Sequence, residues 1–217
     1  SLDNVSFSVP RGSVTGLLGR NGAGKSTLIQ IVMAMTKQLS GTVLVFGKDP
    51  WSDHQGIKSR IGYISEDQVI PPYLRIRDCL NLFSKLYPGW DMDYATQMIK
   101  DFGLDMTRRI KELSKGQKRQ AALVCAIAHR PELLILDEPA GGLDAVVRRE
   151  FLEKVIELLQ EQGGTVFFSS HQLSDVERIA DRVLMLNKGR KLIESPVDTL
   201  MENHCQVLIP KQIGRAS

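Results

Sequence analysis

The sequence predicts an α/β protein built on a mostly parallel sheet with helices on both faces. Three observations lead there. A glycine-rich stretch, "GRNGAGKST" at Gly19 to Thr27, lies between a short apolar run and a run of helical character. From Glu132 onward, strand patterns alternate with helical ones: "ELLILDEP", "AVVRREFLEKVIELLQEQ", "TVFFSSH", "LSDVERIADR". Between these parts, about 76–130, helical spacing dominates. The chain therefore reads as one domain, 1–217, with a core from 1–75 and 131–217 and a helical insertion.

Taken in order, Val5, Phe7 and Val9 alternate with serines and predict a half-exposed strand closed by Pro10-Arg11-Gly12. "VTGLLG" is short and apolar, as a buried strand should be, and "KSTLIQIVMAM" has helical character. "GTVLVFG" reads as a strand between glycines and "SRIGYIS" as a buried strand, while Pro71-Pro72 break "EDQVIPPYL" into a loop. "IRDCLNLFSKLY" and "MDYATQMIKDFGL" are helical, separated by the breaker "PGWD". After the alternating strands and helices, "RVLMLNKGRKLIES" predicts a terminal hairpin. Residues from about Met201 to Ser217 carry no readable motif.

Composition excludes several classes. With 42% hydrophobic and 24% charged residues, the chain can bury a core and is not disordered. A net charge of +3, scattered among acids, lacks the dense basic face of a nucleic-acid binder, so no nucleic-acid partner is expected. Cys79, Cys125 and Cys205 are widely spaced and odd in number, which favours reduced thiols over disulfides or a zinc site. No stretch reaches the roughly 18 apolar residues of a membrane helix. The opening "SLDNVSFSVPRG" has no secretion signal, and it starts in mid-pattern without a methionine, as a trimmed N-terminus would.

The chemistry concentrates in few places. Gly19 and Gly24 with Lys25 and Ser26 complete GxxxxGK[ST], between a predicted strand and a predicted helix. Glycines let backbone N–H groups curl around phosphate oxygens, Lys25 reaches the β and γ phosphates, and the Ser26 hydroxyl suits Mg²⁺. Asp137, ending an apolar strand, is placed to hold Mg²⁺, and Glu138 to act as general base on water. Alone, two acids there would as often merely cap a turn; beside a phosphate loop that reading is minor. His171 sits at a strand's C-terminal end, where ligands bind in open α/β sheets, although a lone histidine is more often structural. His54, His129 and His204 have no such context and read as structural or surface residues.

A second cradle follows at Leu113 to Gln120, "LSKGQKRQ". Ser114 and Gln117 fit a capping box, which needs no ligand. That leaves Gly116, which weakens a helix by about 0.8–1.0 kcal/mol relative to alanine. It also leaves Lys115, Lys118 and Arg119, cations at the positive end of a helix dipole. Both features make sense if an anion arrives.

The ordered set "GRNGAGKST", "LSKGQ", "LLILDEP", "GGLD" and His171 resembles the ATPase subunit of ATP-binding-cassette (ABC) transporters over nearly the whole chain. The resemblance implies a P-loop NTPase core sheet with flanking helices, an antiparallel β portion at the N-terminus and an inserted α-helical subdomain. It implies ATP and Mg²⁺ as ligands, and a head-to-tail dimer in which one chain's signature motif closes on the other's ATP. By resemblance, Gly19, Arg20, Asn21, Gly22, Ala23, Gly24, Lys25, Ser26 and Thr27 form the Walker A loop, and Asp137 with Glu138 the Walker B strand end and catalytic acid. Ser114, Lys115, Gly116 and Gln117 correspond to the signature, Asp144 to the D-loop aspartate and His171 to the switch histidine. The helical insertion would dock a transmembrane permease, a separate polypeptide, which places the chain in the cytoplasm on the inner face of the cell membrane. A second ATPase subunit, identical or not, completes the implied assembly.

Three departures stand out. Lys115 replaces the commoner glycine of the signature. The family's adenine-stacking aromatic residue falls upstream of Ser1. Glu66 stands where the family has a glutamine that touches Mg²⁺ and water; Gln68, two extended residues on, is about 6–7 Å too far. Glu66 is therefore taken as the positional equivalent and a metal ligand. "LYPGWD" resembles bacterial exporter-type ATPases. Two other classes fit less well: soluble ABC ATPases of translation or repair usually carry two cassettes or long coiled coils, and a poorly hydrolysing regulatory module rests on Glu66 alone.

Overall fold

A computed structural model describes residues 2–66, 70–160 and 163–203, the side chains of Gln160 and Asn203 excepted. Its elements are β1 (Val14–Leu18), α1 (Lys25–Val32), α2 (His54–Lys58), β2 (Ile61–Ile64), α3 (Ile76–Leu86), α4 (Met92–Asp101), a 3₁₀ turn (Ile110–Glu112) and α5 (Lys115–Ile127). They continue with β3 (Leu133–Leu136), α6 (Ala145–Gln160), β4 (Thr165–Ser170), α7 (Leu173–Ile179), β5 (Arg182–Asn187), β6 (Arg190–Pro196) and α8 (Val197–Asn203). One sheet takes the order β2-β3-β4-β1-β5-β6, parallel except for the antiparallel β5–β6 edge. Every residue of β1 and β4 is buried, as expected for strands covered on both faces.

Side-chain alternation divides the core in two. Leu17, Ile135, Phe167 and Leu184 point toward α1 and the N-terminal segment. Leu18, Leu134, Leu136, Val166, Phe168 and Val183 point to the other face, where α5, α6 and α7 pack. The helices of the insertion bury their i, i+3, i+4 stripes in this second core: Ile76, Cys79 and Leu80 from α3, Ala95, Met98 and Ile99 from α4. Asp91 ends the "PGWD" break by accepting from Tyr94 N at 2.8 Å, which caps α4.

The N-terminal antiparallel portion takes another form. No strand forms over Val5–Val9 or over 41–47, where only an isolated Val45–Lys48 bridge occurs. The apolar alternation is nonetheless used: Phe7 stacks on Phe167 with centroids 5.8 Å apart, and Val5, Val9, Val43 and Phe46 pack on the same core. Alternation dictates which side chains are buried but supplies no neighbouring backbone. Here Asp3 N bonds Gly189 O and Ser8 N bonds a carboxylate oxygen of Glu194, so the antiparallel pairing sits in the β5–β6 hairpin. Two short helices, α2 and α8, add to the predicted set.

Cys79 and Cys125 are buried free thiols, and burial pushes the Cys79 pKa up to about 11. His129 is structural: its Nε2 lies 3.2 Å from Ile61 O, its ring stacks on Tyr87, and burial drops its pKa to about 4. Cys205 and His204 lie outside the described residues.

Candidate active site

Four parallel strands end on one edge of the sheet, and each delivers a piece of the site. β1 runs into the glycine loop, β2 into Ser65-Glu66, β3 into Asp137-Glu138 and β4 into His171. Gly19 N bonds Ser170 O at 3.2 Å and Asp137 N bonds Ile64 O at 2.8 Å, which ties the strand ends together.

The glycine loop needs its glycines. Gly24, the N-cap of α1, has φ 107°, a conformation L side chains rarely adopt. A Cβ on Gly19 would lie 2.7 Å from Leu186 O. Helix α1 starts with no side-chain cap and no acid in its first turn. Its N-terminal N–H groups are thus available to an anion, at the positive end of the helix dipole. The Ser26 hydroxyl, half-buried in that turn, makes no hydrogen bond among the described residues.

Lys25 is buried, 6% exposed, with Nζ 2.7 Å from Gly19 O and 3.1 Å from Glu138 Oε1. That second contact is an ion pair without hydrogen-bond alignment, since Oε1 has no hydrogen-bond partner. The other oxygen, Oε2, lies 2.9 Å from His171 Nδ1. An ionised carboxylate only accepts, so Nδ1 carries the proton. Glu138 itself has φ 47°, with its N–H bonded to Ser169 Oγ at 2.8 Å, and that hydroxyl donates to Asp137 Oδ1 at 2.7 Å. Ser169 thus orients both acids. The first serine of "FSSH", just inside the strand end, is the only sequence signal for it.

The residues suit a hard divalent cation. Among the described residues, Asp137 keeps Oδ2 unengaged and Ser26 keeps its hydroxyl. Mg²⁺ is typically held by one or two carboxylates together with substrate phosphates, so so small a protein donor set is appropriate. Glu66 is exposed and makes no hydrogen bond or ion pair among the described residues; Gln68 lies outside them. Its charge is felt by Arg119. Burial lowers the Arg119 pKa, Glu66 opposes this, and Arg148 adds to it.

The signature residues and Asp144 form a second group, which no hydrogen bond or ion pair joins to Lys25, Asp137, Glu138 or His171 among the described residues. Ser114 Oγ accepts from Gln117 N at 3.2 Å and Gln117 Oε1 accepts from Ser114 N at 3.1 Å, the expected capping box. A Cβ on Gly116 would meet Val147 Cγ1 at 3.6 Å and Ser114 Oγ at 4.0 Å, ordinary contacts, so its own chain does not require glycine there. Asp144 caps α6, with Oδ1 accepting from Val146 N and Val147 N at 3.1 and 3.0 Å. Sequence reasoning missed Arg148 altogether and, having named Arg119 as a cation at the helix start, missed that both are buried. Arg119 Nη2 donates to Gly141 O at 2.7 Å, and Arg148 donates through Nε and Nη2 to Ala140 O, both at 3.3 Å.

An uncapped helix start behind a glycine loop, a buried lysine and an acid–histidine pair at the adjoining strand ends define a P-loop nucleotide-hydrolysing protein. Residues 2–141 match the sequence profile of the ABC transporter family. The ABC transporter ATP-binding protein YtrB of Bacillus subtilis is 31% identical over 206 residues, 95% of this chain and 70% of that protein. The bacitracin transport ATP-binding protein BcrA of Bacillus licheniformis is 33% identical over 210 residues, 96% of this chain and 69% of that one. A solved ATP-binding subunit of an ABC transporter superposes with a TM-score of 0.82 at 28% identity, over 93% of this chain and 86% of that one. The chain belongs to the ABC transporter family, as an ATP-binding subunit with ATPase activity. No helix among the described residues is long and apolar enough to cross a membrane.

Proposed function

We propose that this chain hydrolyses Mg²⁺-ATP at the inner face of a membrane to drive transport through a separate transmembrane permease, two ATPase subunits closing on each nucleotide. Gly19 to Thr27 bind the phosphates, with Lys25 moving from Glu138 to the γ-phosphate. Glu138, so released, takes a proton from the attacking water, and His171 holds the carboxylate and then the phosphate. Mg²⁺, held by Ser26 and Asp137, would neutralise charge on the phosphates, with Glu66 as a further ligand. Ser114 to Gln117 serve the nucleotide of the other subunit, and Asp144 stands beside that contact. The helical insertion, about 76–130, faces the permease. The name of BcrA, a bacitracin transport protein, fits such a role.

One observation carries the two-chain reading: Gly116 is a helix-weakening residue although a side chain there would meet only ordinary contacts, Val147 Cγ1 at 3.6 Å and Ser114 Oγ at 4.0 Å. Nothing among the described residues of its own chain accounts for it; the close approach of another subunit's phosphate does. Mixing Ser114→Ala chains with Lys25→Ala chains tests this. In a mixed dimer one composite site is doubly damaged and the other intact, so activity returns on mixing. If both residues serve the same nucleotide, none returns.

A further inference from the structure

Helices α6 and α7 flank an open-mouthed cavity of about 250 Å³ whose walls carry three arginines, Arg148, Arg149 and Arg178. The liquid volume of a water is about 30 Å³, so the space exceeds that of a single oxyanion with several waters. Arg178 is partly neutralised by Glu153 at 3.3 Å, and the one wall carboxylate, Asp175, accepts the Ser170 hydroxyl at 2.7 Å. Arg148 and Arg149 pair with no carboxylate among the described residues.

Arg148 is the telling member. It is 9% exposed, yet among the described residues its guanidinium meets only the Ala140 carbonyl, through two long bonds of 3.3 Å. A buried cation usually finds an anion, because removing it from water costs several kcal/mol that one neutral acceptor offsets poorly. Arg119 stands close enough to repel it and donates to a carbonyl, that of Gly141, with the charge of Glu66 partly offsetting its own. Two buried cations thus sit on successive carbonyls without an acid in ion-pair range among the described residues, the more distant Glu66 acting on Arg119.

The cavity also adjoins the reaction centre. A narrow cleft lined by Glu138, Ser169 and Ser170 shares Arg148, Leu152 and Asp175 with it. We propose that the arginine cavity between α6 and α7 binds inorganic phosphate, the product of hydrolysis, as a second phosphate site distinct from the glycine loop. Arg148 and Arg149 are its principal ligands, each offering N–H donors to tetrahedral oxygens in the manner guanidinium favours. The site rests on the ATPase activity of the chain and not on the transport reading.

Calorimetric titration of the nucleotide-free chain with sodium phosphate, at constant ionic strength set with chloride, tests it. The Lys25→Ala variant removes the glycine-loop site, and Arg149→Ala removes an exposed cavity ligand without disturbing the core. Lys25→Ala should still bind phosphate, whereas adding Arg149→Ala to it should weaken that binding roughly tenfold or more, the loss of a charged hydrogen bond. Arg178→Ala gives an independent check from the opposite wall and should also weaken it. Phosphate binding abolished by Lys25→Ala alone, or unaffected by both arginine variants, overturns the proposal.

Discussion

Replacing Gly116 by alanine should make the chain more stable and a worse ATPase at once. Gly116 is the second residue of α5 and does not need glycine's conformational freedom, since its φ is not positive. The added methyl would touch Val147 Cγ1 at 3.6 Å and Ser114 Oγ at 4.0 Å, so no neighbour has to move. The gain is then close to the helix-propensity difference, about 0.5–1 kcal/mol, smaller toward the helix end. For a chain of this size that corresponds to roughly 1–4 °C in Tm. Catalysis should fall, because the methyl occupies the space through which another subunit's phosphate approaches. A loss of only 1.4 kcal/mol in transition-state binding gives about a tenfold slower turnover. Thermal unfolding and steady-state ATP hydrolysis on the same preparation read both effects. A variant that melts earlier would show that Gly116 is needed by its own fold. One that melts later and turns over like the natural chain would refute the closing of α5 on a second chain's nucleotide.

Other outcomes are as definite. Glu138→Gln keeps the shape but removes the base and the charge beside Lys25, so ATP should bind while turnover collapses; gel filtration with Mg²⁺-ATP should show a trapped dimer, and a monomer with near-normal turnover would sink the assignment. Glu66→Gln should make ATP affinity less dependent on Mg²⁺, since the carboxylate adds negative charge beside the triphosphate when the metal is absent; binding measured with Mg²⁺ and with EDTA reads this, and an unchanged ratio leaves Glu66 a bystander. His129 stays neutral in the fold, its pKa lowered from 6.5 to about 4, so between those values only the unfolded chain takes up its proton. Stability should therefore drop as pH falls across that window, and a denaturant series of His129→Gln should show a shallower decline, whereas an identical slope would count against the buried neutral ring.

The sheet was legible because its strands are short apolar runs bounded by glycine, proline or acid. "VTGLL", "LLIL" and "TVFFSS" became β1, β3 and β4. Their parallel pairing follows from helices covering both faces. The N-terminal segment was legible only in part. Val5, Phe7 and Val9 read correctly as an inward-facing set, but periodicity reports burial and not hydrogen-bond partners, so a strand was expected where extended chain packs by its side chains. The short helix α2 was not readable for the opposite reason. It spans five residues, too few for a period, and depends on the Asp53 side chain capping Gly56 N at 3.2 Å.

The two cradles differ in how much of each a single chain contains, and that difference is why one could be read directly and the other only by resemblance. Helix α1 begins on Gly24 with bare N–H groups, and its lysine, acids and histidine all come from one sheet edge. Spacing alone identifies such a site, because the residues that hold the ligand are also the residues that shape the turn. Helix α5 satisfies itself: Ser114 and Gln117 exchange hydrogen bonds at its start, and any ligand must compete with them. Its purpose shows only as a residue left over, a glycine its own packing does not call for. Arg119 and Arg148 were illegible for a further reason. Arg119 reads as a cation awaiting an anion at a helix start and Arg148 as one more helix charge, yet the fold buries both against the carbonyls of Gly141 and Ala140. Such burial depends on how α5 and α6 converge on the loop between β3 and α6, a tertiary fact with no local spacing to announce it. The charges least visible in the sequence are thus the ones with least compensation in the fold, and they mark where a further anion is to be sought.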